Sequence, residues 1–147
     1  MIARGKSGAW DDNSIKFIDE SITDAVNKFN FDIDKFTLIG LSNGGLIFPE
    51  YLVNSKYTYD NVVALSTYLD SKKYKDEGVK ESLINSQFVY IYGNNDQRIG
   101  IEDSLKSLEY LDNFGIKVEI NKIKGDHLIL FEDRDNVLRL LRGILIN

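Results

Sequence analysis

The 147-residue chain contains no cysteine and only one histidine, one proline and one tryptophan. Without cysteine it can form neither disulfide bonds nor thiolate zinc sites, and no cysteine nucleophile is available. One histidine and scattered carboxylates give no recognisable ligand spacing, so we expect neither a metal site nor a cofactor. The missing cysteines fit the cytoplasm slightly better than an oxidising compartment.

Long apolar runs and basic stripes are also missing. No run approaches membrane-spanning length, and the first twelve residues lack the apolar core of a signal peptide. The net charge of −5, with no Lys/Arg stripe, argues against nucleic acid as a partner. Hydrophobic residues at 43% and charged residues at 28% are typical of a folded domain. We therefore expect one domain across residues 1–147.

Helix-type and strand-type apolar patterns alternate along the chain. Three- and four-residue spacings predict helices over 13–29, over 44–55, over 101–114 with Gly115 as a left-handed cap, and over 137–145. Short apolar runs predict strands over 35–40, 61–66, 87–93 and 116–123, the last near a sheet edge. The stretch 67–78 is polar and is predicted to be irregular, with a short helix after it. This order predicts a three-layer α/β/α sandwich around a mainly parallel sheet of about four strands.

Polar residues with complementary chemistry follow three of these strands. Ser42 follows the first strand, Asp96 the third and His127 the fourth. Ligands bind beyond the carboxyl ends of the strands in such sheets, so these side chains belong to the rim where a site is expected. A serine hydroxyl needs a base to accept its proton, and an imidazole needs a carboxylate to fix its tautomer. His127 is the only histidine available as that base.

The segment "GLSNGG" (40–45) places Ser42 between glycines at a strand-to-helix junction. A sharp turn there strains the serine backbone, and side chains at Gly40 and Gly44 are expected to collide with neighbouring atoms. The helix start beyond supplies free N–H groups, so the Asn43 N–H can face an oxyanion.

Each signal has a simpler interpretation when taken alone. The glycine segment could be an ordinary turn, Asp96 a turn residue and His127 an exposed loop residue. A nucleotide-binding loop is a further alternative, but "GLSNGG" lacks both the dinucleotide-binding spacing and a P-loop lysine. The joint occurrence of all three residue types, in the order Ser, acid, His, favours a serine hydrolase.

Four segments resemble the α/β-hydrolase fold: "LIGLSNGG" its nucleophile elbow, "VYIYGNNDQRI" its acid strand and turn, "KIKGDHLI" its histidine loop, and "NVVALSTYL" a segment of small esterases. The nearest groups are the phospholipase/carboxylesterase and acyl-protein thioesterase enzymes, or the dienelactone-hydrolase and feruloyl-esterase-like enzymes. The resemblance implies Ser42 as nucleophile, Asp96 as orienting acid, His127 as general base and Asn43 as one oxyanion donor. It also implies a small ester or thioester substrate.

The chain departs from the family at its start, where the resemblance calls for earlier strands and a His-Gly loop with a second oxyanion donor. The glycine-rich segment 4–10 is a partial candidate for that loop. The strand with Leu38 and Ile39 is then expected to have an unpaired edge, which invites a homodimer. A fragment, a reduced enzyme and an inactive relative all fit this pattern. The alternative function is therefore a non-catalytic or fragmentary hydrolase-like domain that acts as a binding module.

The sequence gives the least information about the wall of an acyl pocket. Trp10, Tyr68 and Leu69 are candidates for it, because Trp10 precedes the first helix and the other two follow the second strand. Packing in the core or at the rim is the alternative for all three, and it is the favoured one.

Overall fold

The computed structural model describes residue 10, residues 12–30 and residues 36–146. The strands are β1 (Thr37–Leu41), β2 (Asn61–Leu65), β3 (Gln87–Gly93) and β4 (Lys117–Ile123). The helices are α1 (Asp12–Phe29), α2 (Phe48–Asn54), α3 (Ser71–Tyr74), α4 (Glu77–Ser82), α5 (Ile101–Phe114), α6 (Ile129–Glu132) and α7 (Arg134–Ile146). A short 3₁₀ turn, Ser42–Gly45, connects β1 towards α2.

The four strands form one sheet in the order β1-β2-β3-β4, and every neighbouring pair is parallel. The register is direct: Gly40 lies opposite Ala64, Ala64 opposite Tyr90, and Tyr90 opposite Ile120. The parallel four-strand sheet predicted from the sequence is confirmed. The carboxyl ends of all four strands therefore lie at the same edge of the sheet, which is the rim expected to carry the site.

Alternating side chains of the strands build a core on each face of the sheet. Phe88, Tyr90 and Tyr92 of β3 pack on one face, with residues of α2 to α5 and the partly buried Ile15 and Ile18 of α1. Val89 and Ile91 pack on the other face, with residues of α6 and α7. Because both faces of β3 are buried, its sequence from Phe88 to Tyr92 is a continuous apolar run rather than an alternating one.

Local signals explain where several helices begin and end. Gly115, with φ 97°, caps α5 in the left-handed conformation, as the sequence predicts. The prediction of an irregular 67–78 stretch is wrong in part, because it contains α3 and the start of α4. The side chains of Asp70 and Asp76 accept hydrogen bonds from the backbone N–H of Lys72 and Gly78, and such caps stabilise even short helices.

The outer edge of β1 has no strand partner among the described residues, as expected from the sequence. Ile39 and Leu41, which point to the face covered elsewhere by α6 and α7, remain 43% and 44% exposed. The described residues therefore cover this corner of the sheet only in part. No helix within the described ranges combines the length and apolar content needed to cross a membrane.

Candidate active site

Ser42 stands at the carboxyl end of β1 in a strained backbone conformation. Its φ of 50° lies in the left-handed region, which is uncommon for residues other than glycine. The chain leaves the strand at Leu41 and enters the 3₁₀ turn at Ser42 itself. Such strain persists only where the surrounding structure imposes it, and here it lifts the hydroxyl onto the rim of the sheet.

Of the two glycines expected to exclude a side chain, Gly40 does so and Gly44 does not. A Cβ on Gly40 would lie 2.5 Å from Phe48 Cζ and 2.6 Å from Gly45 Cα. A Cβ on Gly44 would meet no atom within 4 Å, so the expected collision there is wrong. Gly45 is the second restricted position, since its Cβ would lie 2.5 Å from Thr67 Cγ2. The tight 3₁₀ turn rotates residue 45, rather than 44, towards the neighbouring strand.

Three side chains from separate strand ends form one hydrogen-bonded row. Ser42 Oγ lies 2.8 Å from His127 Nε2, and His127 Nδ1 lies 2.8 Å from Asp96 Oδ2. Because a carboxylate oxygen accepts, Nδ1 donates its proton and Nε2 keeps a lone pair for the serine hydroxyl. Ser42 and His127 are 85 residues apart in the chain, so only the parallel topology brings them together.

The Asp96 carboxylate is fixed by its own turn. Its side chain is fully buried, and Oδ1 accepts backbone N–H groups from Arg98 at 2.9 Å and Ile99 at 3.3 Å. The other oxygen, Oδ2, is left for His127. Asp96 is therefore both a turn residue and the hydrogen-bond partner of His127. The turn orients the carboxylate so that Oδ2 faces the histidine.

The loop that carries His127 is bound to the loop that carries Asp96. Asn95 donates its backbone N–H to Gly125 O at 2.9 Å, and Gly125 donates its N–H to Asn94 Oδ1 at 3.1 Å. Gly93 permits this approach, since a Cβ there would collide with Asp126 O and lie 2.6 Å from Gly125 O. Gly93 was not among the predicted site residues. Its position at the end of the third strand, three residues before Asp96, is the sequence feature that could have identified it as a site residue.

Asn43 lies in the first turn after the serine, where backbone N–H groups lack intrahelical partners. Its carbonyl oxygen accepts the indole N–H of Trp10 at 2.6 Å. Trp10 is half-buried and packs against the core of the first face, so it lies beside the serine turn. The rest of the 4–10 segment, the candidate for a second oxyanion loop, lies outside the described residues.

The two other pocket candidates are placed differently from each other. Tyr68 is 36% exposed, and its hydroxyl donates to Asp103 Oδ2 at 2.6 Å. This hydrogen bond raises the pKa of Tyr68 to about 12. Hydrogen bonds from Ser71 and then from Tyr68 lower the pKa of Asp103 to about 2. Leu69 is completely buried in the first core, which is the packing alternative that the sequence favoured.

Comparison of the whole chain with known proteins gives matches in structure only. No protein-family model and no curated protein sequence matches it. The esterase Pf2001 of Pyrococcus furiosus matches with a TM-score of 0.67 and 17% identity, over 97% of this chain and 66% of that chain. SOBER1 of Arabidopsis thaliana matches with a TM-score of 0.58 and 17% identity, over 86% and 62%. Acylaminoacyl peptidase of Pyrococcus horikoshii matches with a TM-score of 0.64 and 16% identity, over 81% and 24%.

This chain has an α/β-hydrolase fold. Identities this low establish the fold and nothing finer. The chain spans about three fifths of the length of SOBER1 and about a quarter of the peptidase. Within residues 10, 12–30 and 36–146, no group of three or more His, Cys, Asp or Glu side chains is placed to hold a metal ion. The reactive groups at the rim of the sheet are therefore the side chains of Ser42, His127 and Asp96, which form the hydrogen-bonded row.

Proposed function

We propose that the protein is a serine hydrolase that cleaves a carboxylic ester or thioester through an acyl-enzyme on Ser42. The observation that supports this most directly is the continuous row of hydrogen bonds from Ser42 through His127 to the buried Asp96. The left-handed backbone of Ser42 adds to it, because strain of this kind concentrates at functional sites.

In the acylation step, Ser42 Oγ attacks the substrate carbonyl carbon while His127 Nε2 accepts the hydroxyl proton. A C–O bond forms, and the carbonyl electron pair moves onto the oxygen to give a tetrahedral oxyanion. Its collapse breaks the bond to the alcohol or thiol leaving group, which takes the proton from His127. Asp96 remains ionised throughout. It accepts a hydrogen bond from His127 Nδ1–H and stabilises the imidazolium.

Deacylation repeats the sequence with water as the nucleophile. His127 accepts a proton from the water, which attacks the acyl carbon, and then returns the proton to Ser42 Oγ. The products are the carboxylic acid and the free serine. Water is the only co-reactant, and no electrons are transferred to an acceptor.

The backbone N–H of Asn43 is the proposed oxyanion donor. It follows the nucleophile directly, in a first turn where backbone donors are free of intrahelical partners. Trp10 and Tyr68 are the proposed walls of the acyl site. Trp10 contacts the serine turn, and Tyr68 is the exposed aromatic residue after β2.

A short p-nitrophenyl ester tests the proposed activity. Ser42→Ala should abolish hydrolysis, and a fluorophosphonate probe should label the parent at Ser42. Ser82→Ala is the matched control, because Ser82 lies on α4, where its hydroxyl donates a hydrogen bond to Val79 O of the same helix. Equal hydrolysis rates from Ser42→Ala and the parent would refute the proposal.

A non-catalytic binding module is the second candidate function. The edge of β1 that has no strand partner among the described residues favours it, together with the exposed Ile39 and Leu41. Such an edge can pair with a second chain, including a second copy. It predicts self-association in sedimentation together with no probe labelling at Ser42. A labelled monomer would rule it out, and Ile39→Lys should weaken any dimer formed through this edge.

A further inference from the structure

Thr67, two residues beyond the end of β2, lies against the serine turn. Its side chain is completely buried, and its hydroxyl lies 2.9 Å from Ser42 O, 3.2 Å from Gly40 O and 3.2 Å from Leu65 O. The hydroxyl carries a single proton, and the Ser42 carbonyl is the nearest of the three acceptors. Thr67 therefore connects the second strand to the backbone of the proposed nucleophile.

The carbonyl that Thr67 contacts belongs to the peptide unit that also contains the Asn43 N–H. This peptide is trans, since the described chain contains no cis peptide bond. In a planar trans peptide, the C=O and N–H groups point in opposite directions. A carbonyl held towards the buried Thr67 therefore turns the Asn43 N–H away from the core, towards the rim where Ser42 Oγ stands.

Thr67 is itself held firmly in place. Its carbonyl oxygen accepts the hydroxyl of the buried Tyr90 at 3.1 Å. The preceding residue, Ser66, has a left-handed φ of 46°, which redirects the chain at the end of β2. The methyl group of Thr67 occupies the space that a Cβ on Gly45 would need. The serine turn and Thr67 therefore pack closely against each other. Rotation of the 42–43 peptide would break the hydrogen bond between Thr67 and Ser42 O.

We infer that Thr67 is a positioning residue that aims the Asn43 N–H at the oxyanion. This inference rests on the proposed serine-hydrolase activity. The hydrogen bond to Ser42 O fixes the plane of the peptide, and it also strengthens the N–H as a donor, because hydrogen bonds in a chain polarise one another. Thr67 contacts neither the substrate nor the reacting atoms. Its effect is on the transition state, where the oxyanion exists, and not on the bound ester.

Three variants of Thr67 separate the effect of the hydroxyl from that of the packing, and a fourth variant is the control. Thr67→Val keeps the shape and loses the hydroxyl. Thr67→Ser and Thr67→Ala both lose the methyl group and differ from each other only in the hydroxyl. Thr37→Val is the matched control, because Thr37 lies at the opposite end of β1, where its hydroxyl accepts a hydrogen bond from Asn61 Nδ2. Thermal melting of each variant verifies that the kinetics are those of folded protein.

On the p-nitrophenyl ester, Thr67→Val and Thr67→Ala should lower kcat by about 10-fold to 10²-fold, short of the 10²–10³ that follows removal of an oxyanion donor. KM should stay near the parent value, and Thr67→Ser should recover most of the lost kcat. A trifluoromethyl ketone, whose serine adduct carries an oxyanion, should bind more weakly to the Val and Ala variants. Unchanged kcat in folded Thr67→Val, or equal kcat in the Ser and Ala variants, would overturn the inference.

The ¹⁵N resonance of the Asn43 amide gives a readout that does not need turnover. It should move in Thr67→Val and Thr67→Ala and stay near the parent position in Thr67→Ser. An inactive parent with this pattern of shifts would refute the proposed function while leaving the positioning of the amide intact. An active parent with no shift in any variant would refute the positioning role alone.

Discussion

Gly93 lies directly against the backbone carbonyl of Asp126, so that the end of β3 and the loop before His127 are in contact without any side chain between them. This contact sets the separation of the two loops that carry Asp96 and His127. The distance of 2.8 Å between Asp96 Oδ2 and His127 Nδ1 depends on it.

Gly93→Ala is therefore expected to damage activity more than its small size suggests. The new methyl group forces the His127 loop away from Asp96, and a displacement of about 1 Å can cost about 10²-fold in rate. The kcat on the p-nitrophenyl ester measures this. Gly143→Ala on α7 is the control, because a Cβ there meets no atom within 4 Å. Parent-like kcat in folded Gly93→Ala would contradict the argument.

Asp96→Asn should lower kcat by about 10⁴-fold, because an amide in place of the carboxylate favours the wrong histidine tautomer. The amide oxygen can still accept the N–H groups of Arg98 and Ile99, so the turn should persist and the melting temperature should change little. Asp112→Asn, on the exposed side of α5, serves as the control. A loss of folding in place of a loss of kcat would show that the carboxylate acts mainly in the turn.

The two glycines beside Ser42 should respond differently to alanine. Gly40→Ala places a methyl group within 2.6 Å of Gly45 Cα, so we expect severe loss of both folding and activity. Gly44→Ala enters open space at a φ that is not positive, so its change in unfolding free energy should stay within about 0.5 kcal/mol. Urea unfolding compares the two. Equal destabilisation would contradict the packing of the turn.

The Asp103 carboxylate should make stability depend on pH in a defined window. Its pKa falls from 3.8 to about 2 in the folded protein, mainly through the hydrogen bond from Ser71. A lowered folded pKa means that the stabilisation is present above the unfolded pKa and is lost as the pH falls through the folded one. The difference in melting temperature between the parent and Asp103→Asn should thus be constant above about pH 5 and shrink from pH 4 towards pH 2. A difference that is independent of pH throughout this range would contradict the assignment.

Much of the fold could be predicted from the sequence because periodicity is a local property. Apolar spacing located all four strands and the long helices, and Gly115 marked the end of α5. The short helices α3 and α6 were missed, since their few residues carry no periodic signal. The unpaired edge expected for the strand with Leu38 and Ile39 agrees with the structure, in which β1 has β2 as its one strand partner among the described residues. The strand order itself was not predicted.

For the candidate site, the sequence by itself determined which residue types stand at the strand ends: a serine between glycines, an aspartate in a turn and a single histidine. A parallel sheet then brings these ends to one rim. Only the tertiary structure decided that Gly45 and Gly93 are the close contacts, that Leu69 is in the core and that Thr67 lies under the serine turn. These relationships join residues far apart in the chain, and they depend on atomic packing between loops, which leaves no periodic trace in the sequence.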